Sequence, residues 1–345
     1  MTDGSAPALS VILPTSNGFA TISRTVRALH AQTIRDRLEL VIVAPSESIT
    51  IERGLTEGFA GVRVIAFRNV TSSSNRARVA GIRVAGAPIV ALAEDHSFPE
   101  PRWAEALLAA HAEGKWAAVG PVVCNANPAT AVSWANILIE YAPWLEPAQR
   151  GEVAHLPGHN SSYRRDLLLE YGEKLDALME SETVMHWDLI RRGHRLLIEP
   201  AARTHHLNFS KLSSCVTLRF NVGRQFASMR STQWPFPKRL MYAVAAPLIP
   251  AVRLRRIGTL LIRRGRIGLM LRILPVLVPA LLVDGFGELV GYTAGPGSSP
   301  SILGGIEFDR RRVLSGNDRN DYDAGKIPYG AAGATEREES TTRIS

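Results

Sequence analysis

Four short apolar runs in the first hundred residues constrain the fold of this chain more than any other feature. They are rich in Val and Ile and have the length of strands that are buried on both faces. The runs cover residues 9–14, 39–44, 62–67 and 88–93. Helical patterns fill the first gap, where Ile22, Val26 and Leu29 recur, and the last gap, over residues 72–87. Alternating strands and helices predict an α/β fold with a mainly parallel sheet flanked by helices.

Further elements follow the fourth run. The pattern predicts a helix over 103–112, a strand over 116–125, a helix that begins near residue 182, a strand over 195–198 and a helix over 217–229. In the helix that begins near residue 182, we expect Val184, Trp187 and Ile190 to form the buried stripe and Gly193 to end the helix.

The composition divides the chain into three parts. Residues 1–230 carry the α/β pattern. Residues 231–294 are basic and apolar and predict helices associated with a membrane. Residues 295–345 are polar and rich in Gly and Ser, and we expect them to be a disordered tail.

The positive charge is concentrated in one block. Residues 201–283 hold 14 Lys or Arg and no Asp or Glu, whereas the net charge of the whole chain is +8. Because the same block contains the most apolar segments, the pattern favours an anionic membrane surface as partner. A basic, solvated face over an ordinary helical core is the alternative. No basic–aromatic groove pattern indicates a nucleic-acid partner.

The purely apolar run Ile273–Val283 has eleven residues, two of them prolines, and its extension over 267–283 has 17. A spanning helix needs about 20 apolar residues. The sequence therefore favours helices that lie in the membrane interface, with a single span or a re-entrant hairpin as the alternative. In the first case basic side chains contact lipid phosphates, namely Arg255, Arg256, Arg263, Arg264 and Arg266.

The N-terminus has no signal-peptide pattern, and the two cysteines, Cys124 and Cys215, fit a reducing compartment. Together with the basic apolar block, these features predict the cytoplasmic face of a membrane, where the protein is peripheral or holds one short membrane segment.

Three functional side chains come directly after the fourth apolar run. Glu94, Asp95 and His96 stand where the predicted strand ends, and ligands of parallel sheets bind beyond the carboxyl ends of strands. Two carboxylates and an imidazole suit Mg²⁺ or Mn²⁺ held against a diphosphate. A surface turn whose acidic residues cap the next helix is the alternative.

Five segments in a fixed order carry a resemblance to a known family. They read "SVILPTSN", "LELVIV", "NRARVAGIRVAGAPIVALAEDHSFPEPRW", "GHNSSYRRD" and "ESETVMHWDLIRRGHRLLIEPAARTHHLN". Over roughly residues 8–230 the chain resembles glycosyltransferase family 2, inverting enzymes of the GT-A fold, and their membrane-associated bacterial members. The resemblance implies a nucleotide-sugar donor, a divalent cation (Mg²⁺ or Mn²⁺) and a lipid-linked or saccharide acceptor, such as an envelope polysaccharide or a glycolipid.

The resemblance also implies roles for individual residues on the donor side. Those implied to contact the donor are Pro14, Thr15, Ser46, Arg78, Glu94 and Asp95. Those implied to bind the metal are Asp95, His96 and His206, with His205 as a close second to His206.

On the acceptor side, the resemblance assigns the turn that contains His159, Asn160 and Ser161. It assigns the catalytic base to Glu182, with Glu180 as the alternative. Such a base takes the proton of an acceptor hydroxyl, and the hydroxyl then attacks the anomeric carbon from the face opposite the diphosphate.

Two departures from the family pattern leave alternatives open. "VIVAPSES" lacks the Asp that the family usually has just after the second strand, so that Ser46 or Glu47 takes its place. Glu94-Asp95-His96 replaces Asp-x-Asp. A non-catalytic scaffold that keeps the fold and binds a membrane or nucleotides is therefore the alternative function. A nucleotidyltransferase should show a Gly- and Lys/Arg-rich loop after the first strand, which this sequence lacks.

Overall fold

The computed structural model describes residues 6–72 and 74–327. Nine strands in these residues form one sheet. They are β1 (Leu9–Pro14), β2 (Leu38–Ala44), β3 (Gly61–Ala66), β4 (Ile89–Leu92), β5 (Ser97–Pro99), β6 (Ala118–Asn125), β7 (Gly151–Glu152), β8 (Ser162–Arg164) and β9 (Leu196–His206).

Fourteen α-helices lie in the same residues. They are α1 (Phe19–His30), α2 (Arg53–Thr56), α3 (Ser74–Val84), α4 (Trp103–His111), α5 (Ala131–Tyr141), α6 (Arg165–Leu169), α7 (Lys174–Met179), α8 (Glu182–Arg191), α9 (Leu212–Arg230), α10 (Phe236–Ala245), α11 (Ile249–Arg263), α12 (Ile267–Ala294), α13 (Ser299–Glu307) and α14 (Gly316–Asp323). A short 3₁₀ helix, Arg310–Val313, precedes α14.

The sheet order is β3-β2-β1-β4-β8-β6-β9-β5, with β7 paired to β9. Strands β1 to β4 are parallel to one another, as the alternating pattern predicts. In the second half of the sheet, β8 runs antiparallel to β4 and β6, and β5 and β7 run antiparallel to β9. The α/β class is confirmed, and the sheet is mixed beyond β4.

Apolar residues on the two faces of the sheet build two separate layers of core. In β2, Leu40 and Ile42 pack with helices α1 and α4, whereas Val41 and Val43 pack with α3 and α5 on the other face. Because successive side chains of a strand point to opposite faces, a strand covered on both sides is apolar at every position. All seven residues of β2 are buried accordingly.

Two sequence predictions differ from the structure. In α8 the buried residues are Met185, His186 and Leu189, whereas Trp187 and Ile190 are 40% and 39% exposed. The predicted stripe was wrong because the neighbouring face of the helix is buried instead. That face carries Met185 and Leu189 together with His186, whose ring bonds to Leu156 N–H and to Tyr163 in the interior. Residues 299–327 fold as helices against the rest of the chain instead of forming a disordered tail. The rest of the predicted tail, 328–345, lies outside the described residues.

Helices α9 and α12 approach each other closely through glycine. A Cβ added at Gly223 would lie 2.1 Å from the carbonyl oxygen of Asp284, and one added at Gly287 would lie 2.2 Å from that of Phe220. The buried carboxylates of Asp284 and Glu288 both pair with Arg253 of α11. The division at residues 230 and 294 therefore stays a prediction, since α12 packs on α9 and on α5 of the sheet domain.

Candidate active site

Helix and strand ends bring the functional side chains together at one edge of the sheet. Strands β1, β2 and β4 are parallel, so their carboxyl ends meet there, and Glu94 follows β4 by two residues. Helix α3 places Arg78 beside Glu94, and the end of β9 places His206 there. The chain thus assembles polar side chains from distant segments at the position where parallel sheets bind ligands.

Glu94 is the centre of this group and is 7% exposed. Its Oε1 lies 3.0 Å from Nη2 of Arg78 and 3.1 Å from Nδ1 of His159. Its Oε2 lies 3.2 Å from Nε2 of His96 and 4.0 Å from Nε2 of His206, and accepts no hydrogen bond. Burial raises the pKa of the Glu94 carboxyl, but its interactions with His159 and His96 outweigh burial and hold the pKa well below its usual range.

The hydrogen bonds of two histidines define their tautomers. His159 uses Nδ1 toward Glu94, and His206 uses Nδ1 toward Oδ1 of Asn208 at 2.9 Å. The Nε2 atom of each ring is buried and has no partner. Burial, and then the positive charges around it, lower the pKa of His206 well below its usual range. A neutral imidazole whose Nδ1–H is held by an oxygen presents its Nε2 lone pair, as metal-bound histidines do.

Glu94, His159 and His206 together fit a divalent cation. Ligand atoms of Glu94, His159 and His206 all lie within 4.8 Å of one another, and each residue has a buried polar atom without a partner. Leaving three such atoms unpaired is costly unless a ligand binds them. Two imidazole nitrogens and a carboxylate suit Mn²⁺ better than Mg²⁺, which prefers oxygen ligands.

Asp95 lies differently from the predicted metal set, whereas His96 forms a second possible metal-binding group with Glu94 and Glu307. Oδ1 of Asp95 is 2.6 Å from Nδ1 of His96, and Asp95 belongs to none of the possible metal-binding groups among the described residues. Nε2 of His96 lies 2.5 Å from Nη2 of Arg310. The Nδ1–H of His96 donates to the Asp95 carboxylate. Asp95 therefore orients His96.

The predicted base lies at the start of α8, where Glu182 has 24% of its side chain exposed. Its Oε1 is 3.6 Å from Nη1 of Arg78. A Cβ added at Gly158 would lie 2.8 Å from Cδ of Glu182, so any larger residue at position 158 would displace this carboxylate. Glu180 lies nearby, and burial raises the pKa of its carboxyl. The Glu94 and Glu182 charges raise the pKa of the buried Arg78 guanidinium although burial alone lowers it.

A cavity of about 430 Å³ joins these groups. Its polar lining includes Arg78, Glu94, His159, Glu180 and Glu182. On its other side α9, α13 and the residues before α9 provide apolar side chains, including Phe209, Leu218, Val222, Leu303 and Ile306, next to the charged pair Glu307 and Arg310. The cavity therefore has one charged half and one apolar half.

Other predicted residues lie outside this cavity lining. Pro14 and Thr15 end β1 and are buried, and Oγ1 of Thr15 donates to the carbonyl of Gly18. Ser46 is exposed in the loop after β2. All three lie at the same sheet edge as Glu94, which is compatible with a donor reaching across the strand ends.

The turn after His159 faces inward. Asn160 has a φ of 54°, and its Nδ2 donates to Ser97, while Ser161 donates to the carbonyl of Pro157. Both side chains support the loop that presents His159, so within the described residues only His159 of the predicted turn faces the cavity.

Sequence reasoning missed three residues. Tyr141 contacts His159 and His206 with ring centroids at 5.0 and 4.8 Å. Glu307 and Arg310 come from the segment expected to be disordered, and no local pattern marked them. His205, the alternative to His206, instead groups with Glu100 and Cys124.

Comparisons with known proteins give a family match and similar solved structures. Residues 10–172 match the family model described as glycosyl transferase family 2, and no curated protein matches the chain. The chain is similar to the crystal structure of GalNAc-T7 with UDP, GalNAc and Mn²⁺, at 17% identity and a TM-score of 0.44, over 59% of this chain and 44% of that chain. It is also similar to S. aureus TarS, at 13% identity and a TM-score of 0.43, over 84% and 55%. The chain thus spans about half the length of these two chains.

Proposed function

Residues 10–172 are a glycosyl transferase family 2 domain, and we propose that this chain is an inverting, divalent-cation-dependent enzyme that moves a sugar from a nucleotide-sugar donor to an acceptor hydroxyl. One observation carries the proposal. Glu94, His159 and His206 form a possible metal-binding group in which each residue holds a buried polar atom without a partner, and Glu94 and His159 line the same cavity as a second carboxylate, Glu182.

Glu94, His159 and His206 would hold the cation, which when bound neutralises negative charge on a departing nucleoside diphosphate. Asn208 fixes the ring of His206, and Glu94 fixes that of His159. Asp95 is not among these three ligands. It binds His96, whose Nε2 lies 3.2 Å from Oε2 of Glu94, and so positions that ring. We expect Mn²⁺ to bind more tightly than Mg²⁺ because two of the three ligands are nitrogen.

Glu182 is the proposed general base. As the acceptor oxygen forms its bond to the anomeric carbon, Glu182 takes the proton of that hydroxyl. The bond between the anomeric carbon and the phosphate oxygen breaks, and its electron pair leaves with the nucleoside diphosphate. Attack opposite the leaving group inverts the anomeric centre. Arg78 orients the base through its 3.6 Å contact with the carboxylate. Glu180 is the alternative base.

The apolar half of the cavity supports an acceptor that carries an apolar group. Leu218 and Val222 of α9 and Leu303 and Ile306 of α13 line this half. An acceptor hydroxyl near Glu182 would leave the rest of the acceptor against these side chains. A lipid-linked saccharide or a glycolipid of the cell envelope has this combination of a polar end and an apolar body.

The surface of α10 to α12 supports attachment to an anionic membrane. Large apolar side chains stand exposed along these helices, namely Phe236, Leu240, Met241, Val244, Leu248, Val252, Ile262, Ile267, Leu271, Leu282 and Phe286. Exposed arginines accompany them, namely Arg255, Arg256, Arg263, Arg266 and Arg272. Arg264 instead donates to the carbonyl oxygens of Glu146 and Pro147. Apolar and basic side chains on one set of helices are typical of interfacial binding.

Helix α12 has 28 residues and, among the described residues, is the one helix long and apolar enough to cross a membrane by length and composition. It also contains Pro275 and Pro279 and packs on α9. Because the core helix of a soluble protein can meet the same criterion, we propose peripheral attachment on the cytoplasmic face, with one short membrane segment as the alternative.

The proposal is tested by calorimetric titration with UDP-, GDP- and dTDP-sugars, with and without Mn²⁺. We expect one nucleotide sugar to bind in a manner that depends on Mn²⁺, and Glu94→Gln to abolish the Mn²⁺ dependence. Glu105→Gln is the matched control, since Glu105 lies on α4 and pairs with exposed Arg102. No binding of any nucleotide sugar by the wild type would refute the proposal and favour a non-catalytic scaffold.

A further inference from the structure

The segment from α13 to α14 closes the candidate site although it lies outside the family match. Strand ends and α3 provide one wall of the cavity, and Leu303, Ile306, Glu307 and Arg310 provide another. Residues 10–172 therefore do not complete the site by themselves.

Specific contacts hold this segment in place. The carbonyl oxygen of Val313 accepts hydrogen bonds from the backbone N–H groups of Ser210 and Lys211, at 3.1 and 2.9 Å. Asp318 is fully buried, and its Oδ2 accepts a 3.0 Å bond from Asn127. Val313 packs with Phe209 and Leu218. Polar and apolar contacts of the residues just after Arg310 thus hold this segment against the sheet domain.

Arg310 is 9% exposed and lines the cavity. Its Nη2 lies 2.5 Å from Nε2 of His96 and 2.9 Å from Oε2 of Glu307. Its guanidinium carbon lies 4.4 Å from the centroid of the Phe209 ring. Its Nε and Nη1 atoms are buried and have no hydrogen-bond partner.

Two unpaired N–H groups on a buried guanidinium point to a missing anion. Buried donors are nearly always paired, and a guanidinium is planar, always charged and suited to contact two phosphate oxygens at once. Phe209 and Glu307 hold the plane of the group, so its free edge is oriented before a ligand arrives. The nearby carboxylates belong to Glu94 and Glu307, and neither accepts a bond from Nε or Nη1.

We propose that Arg310 binds the diphosphate of the nucleotide-sugar donor, with Nε–H and Nη1–H donating to phosphate oxygens. This inference rests on the proposed function and adds a second cation, supplied by the chain itself, to the one that Glu94, His159 and His206 would hold. When the anomeric carbon–oxygen bond breaks, the charge that develops on the leaving phosphate oxygen lies near a fixed positive group. The C-terminal segment is thereby part of the donor site.

The test uses the full chain and two classes of probe. Inorganic pyrophosphate and the diphosphates UDP, GDP and dTDP carry the group that Arg310 would bind, whereas the nucleosides uridine, guanosine and thymidine lack it. Titrations are run in EDTA and again with Mn²⁺, so that binding through the metal and binding through Arg310 are measured separately.

Three variants accompany the wild type. Arg310→Gln removes both the positive charge and the planar guanidinium that can contact two phosphate oxygens. Arg310→Lys keeps the positive charge but lacks the guanidinium, and it remains informative if the first variant fails to fold. Arg312→Gln is the matched control, because Arg312 lies in the same 3₁₀ turn with 79% of its side chain exposed. Thermal melting establishes that each variant is folded.

We expect Arg310→Gln to weaken pyrophosphate and nucleoside diphosphate binding by about 10- to 100-fold, in EDTA as well as with Mn²⁺, because hydrogen bonds between charged groups are lost. Arg310→Lys should recover part of the loss, and nucleoside binding and Arg312→Gln should match the wild type.

Unchanged diphosphate binding in a folded Arg310→Gln variant would overturn the inference and leave the proposed function standing. An equal loss for nucleosides and diphosphates would also overturn it, since Arg310 would then support the fold of the site only. Binding of pyrophosphate through Arg310 without binding of any nucleotide would uphold the diphosphate site and refute the nucleotide-sugar donor. No binding of any phosphate probe by the wild type would refute both.

Discussion

Arg78 and Glu94 form a 3.0 Å ion pair in which only 8% of each side chain is exposed. The pair joins helix α3 to the end of β4. Because another N–H of Arg78 faces Glu182 at 3.6 Å, the same guanidinium connects the carboxylate of the possible metal group with the proposed base. The position of both carboxylates therefore depends on one arginine.

Arg78→Met is expected to lower the free energy of unfolding by about 3 kcal/mol, because it leaves a buried carboxylate without its cation. Urea denaturation measures the loss. Arg83→Met on the same helix is the control, since Arg83 pairs with Asp176 while 47% of its side chain is exposed, and an exposed pair contributes at most about 1 kcal/mol. Equal losses in the two variants would contradict the assigned importance of the buried pair.

Glu94→Gln, His159→Gln and His206→Gln should each weaken Mn²⁺ binding by about 10- to 100-fold or more, because each removes or alters a ligand. Electron paramagnetic resonance of free Mn²⁺ measures the affinity. His205→Gln is the control, since His205 faces Glu100 instead. Mn²⁺ affinity that falls with His205→Gln and not with His206→Gln would place the cation in the other group.

Glu182→Gln should reduce kcat by about 10²- to 10⁴-fold and leave donor affinity unchanged, because a general base acts on the acceptor proton. Glu180→Gln is the paired variant, and the larger kcat loss identifies the base. Turnover with a lipid-linked acceptor and calorimetry with the donor separate the two effects.

Gly158→Ala offers an independent test of the same site. The added Cβ would lie 2.8 Å from Cδ of Glu182, so we expect the carboxylate to move and kcat to fall. Since the displaced group is the end of a flexible side chain, the melting temperature should stay close to that of the wild type. An unchanged kcat would show that the position of Glu182 does not matter for turnover.

Acid should destabilise the fold through His186. Burial, together with the charge of His155, lowers the pKa of His186 to about 3. Its ring stays neutral, with Leu156 N–H donating to Nδ1 and Nε2 bonded to Tyr163. The unfolded chain takes up a proton near pH 6.5 and the folded chain does not. Stability is therefore complete above pH 6.5 and falls toward pH 3, with a limiting slope of about 1.4 kcal/mol per pH unit.

Urea unfolding between pH 7.5 and pH 4.5 measures this slope. His186→Gln should reduce the slope of the unfolding free energy against pH, because the His186 imidazole no longer contributes to it. His194→Gln, in the turn after α8, should leave the slope unchanged. Parallel wild-type and His186→Gln profiles would contradict the prediction. His111, whose pKa burial lowers to about 4, should act in the same direction.

Phe236→Glu and Val244→Glu should weaken binding to vesicles that contain anionic lipid, because each places a charge on an apolar side chain that is 73% or 74% exposed. Co-sedimentation with phosphatidylglycerol and phosphatidylcholine vesicles measures binding. Trp187→Ser is the control, because Trp187 is an exposed apolar residue on α8. If α10 is not the contact surface, all three variants will sediment like the wild type.

The local pattern of the sequence was sufficient for the first half of the fold. Strands β1, β2 and β4 are short, apolar at nearly every position and buried, as the pattern predicts. The prediction was wrong for β3, which lies at the edge of the sheet and is partly exposed. The same reasoning located Glu94 at a strand end and Glu182 at a helix start, because both positions follow from where the apolar pattern stops. It failed for α8, where two adjacent faces carry apolar residues and only the surrounding packing selects one.

The composition of the site was decided by tertiary structure. Glu94, His159 and His206 are far apart in sequence, and their free atoms converge because β4, the loop before β8 and the end of β9 meet at one edge. Asp95 was expected among the ligands, but it follows Glu94 directly and its carboxylate turns to His96 instead. Arg310 reaches the same place from a segment whose polar composition indicated disorder. Sequence periodicity reports which residues are buried, whereas distances between remote side chains depend on how the elements pack, and the chemistry of this site depends on those distances.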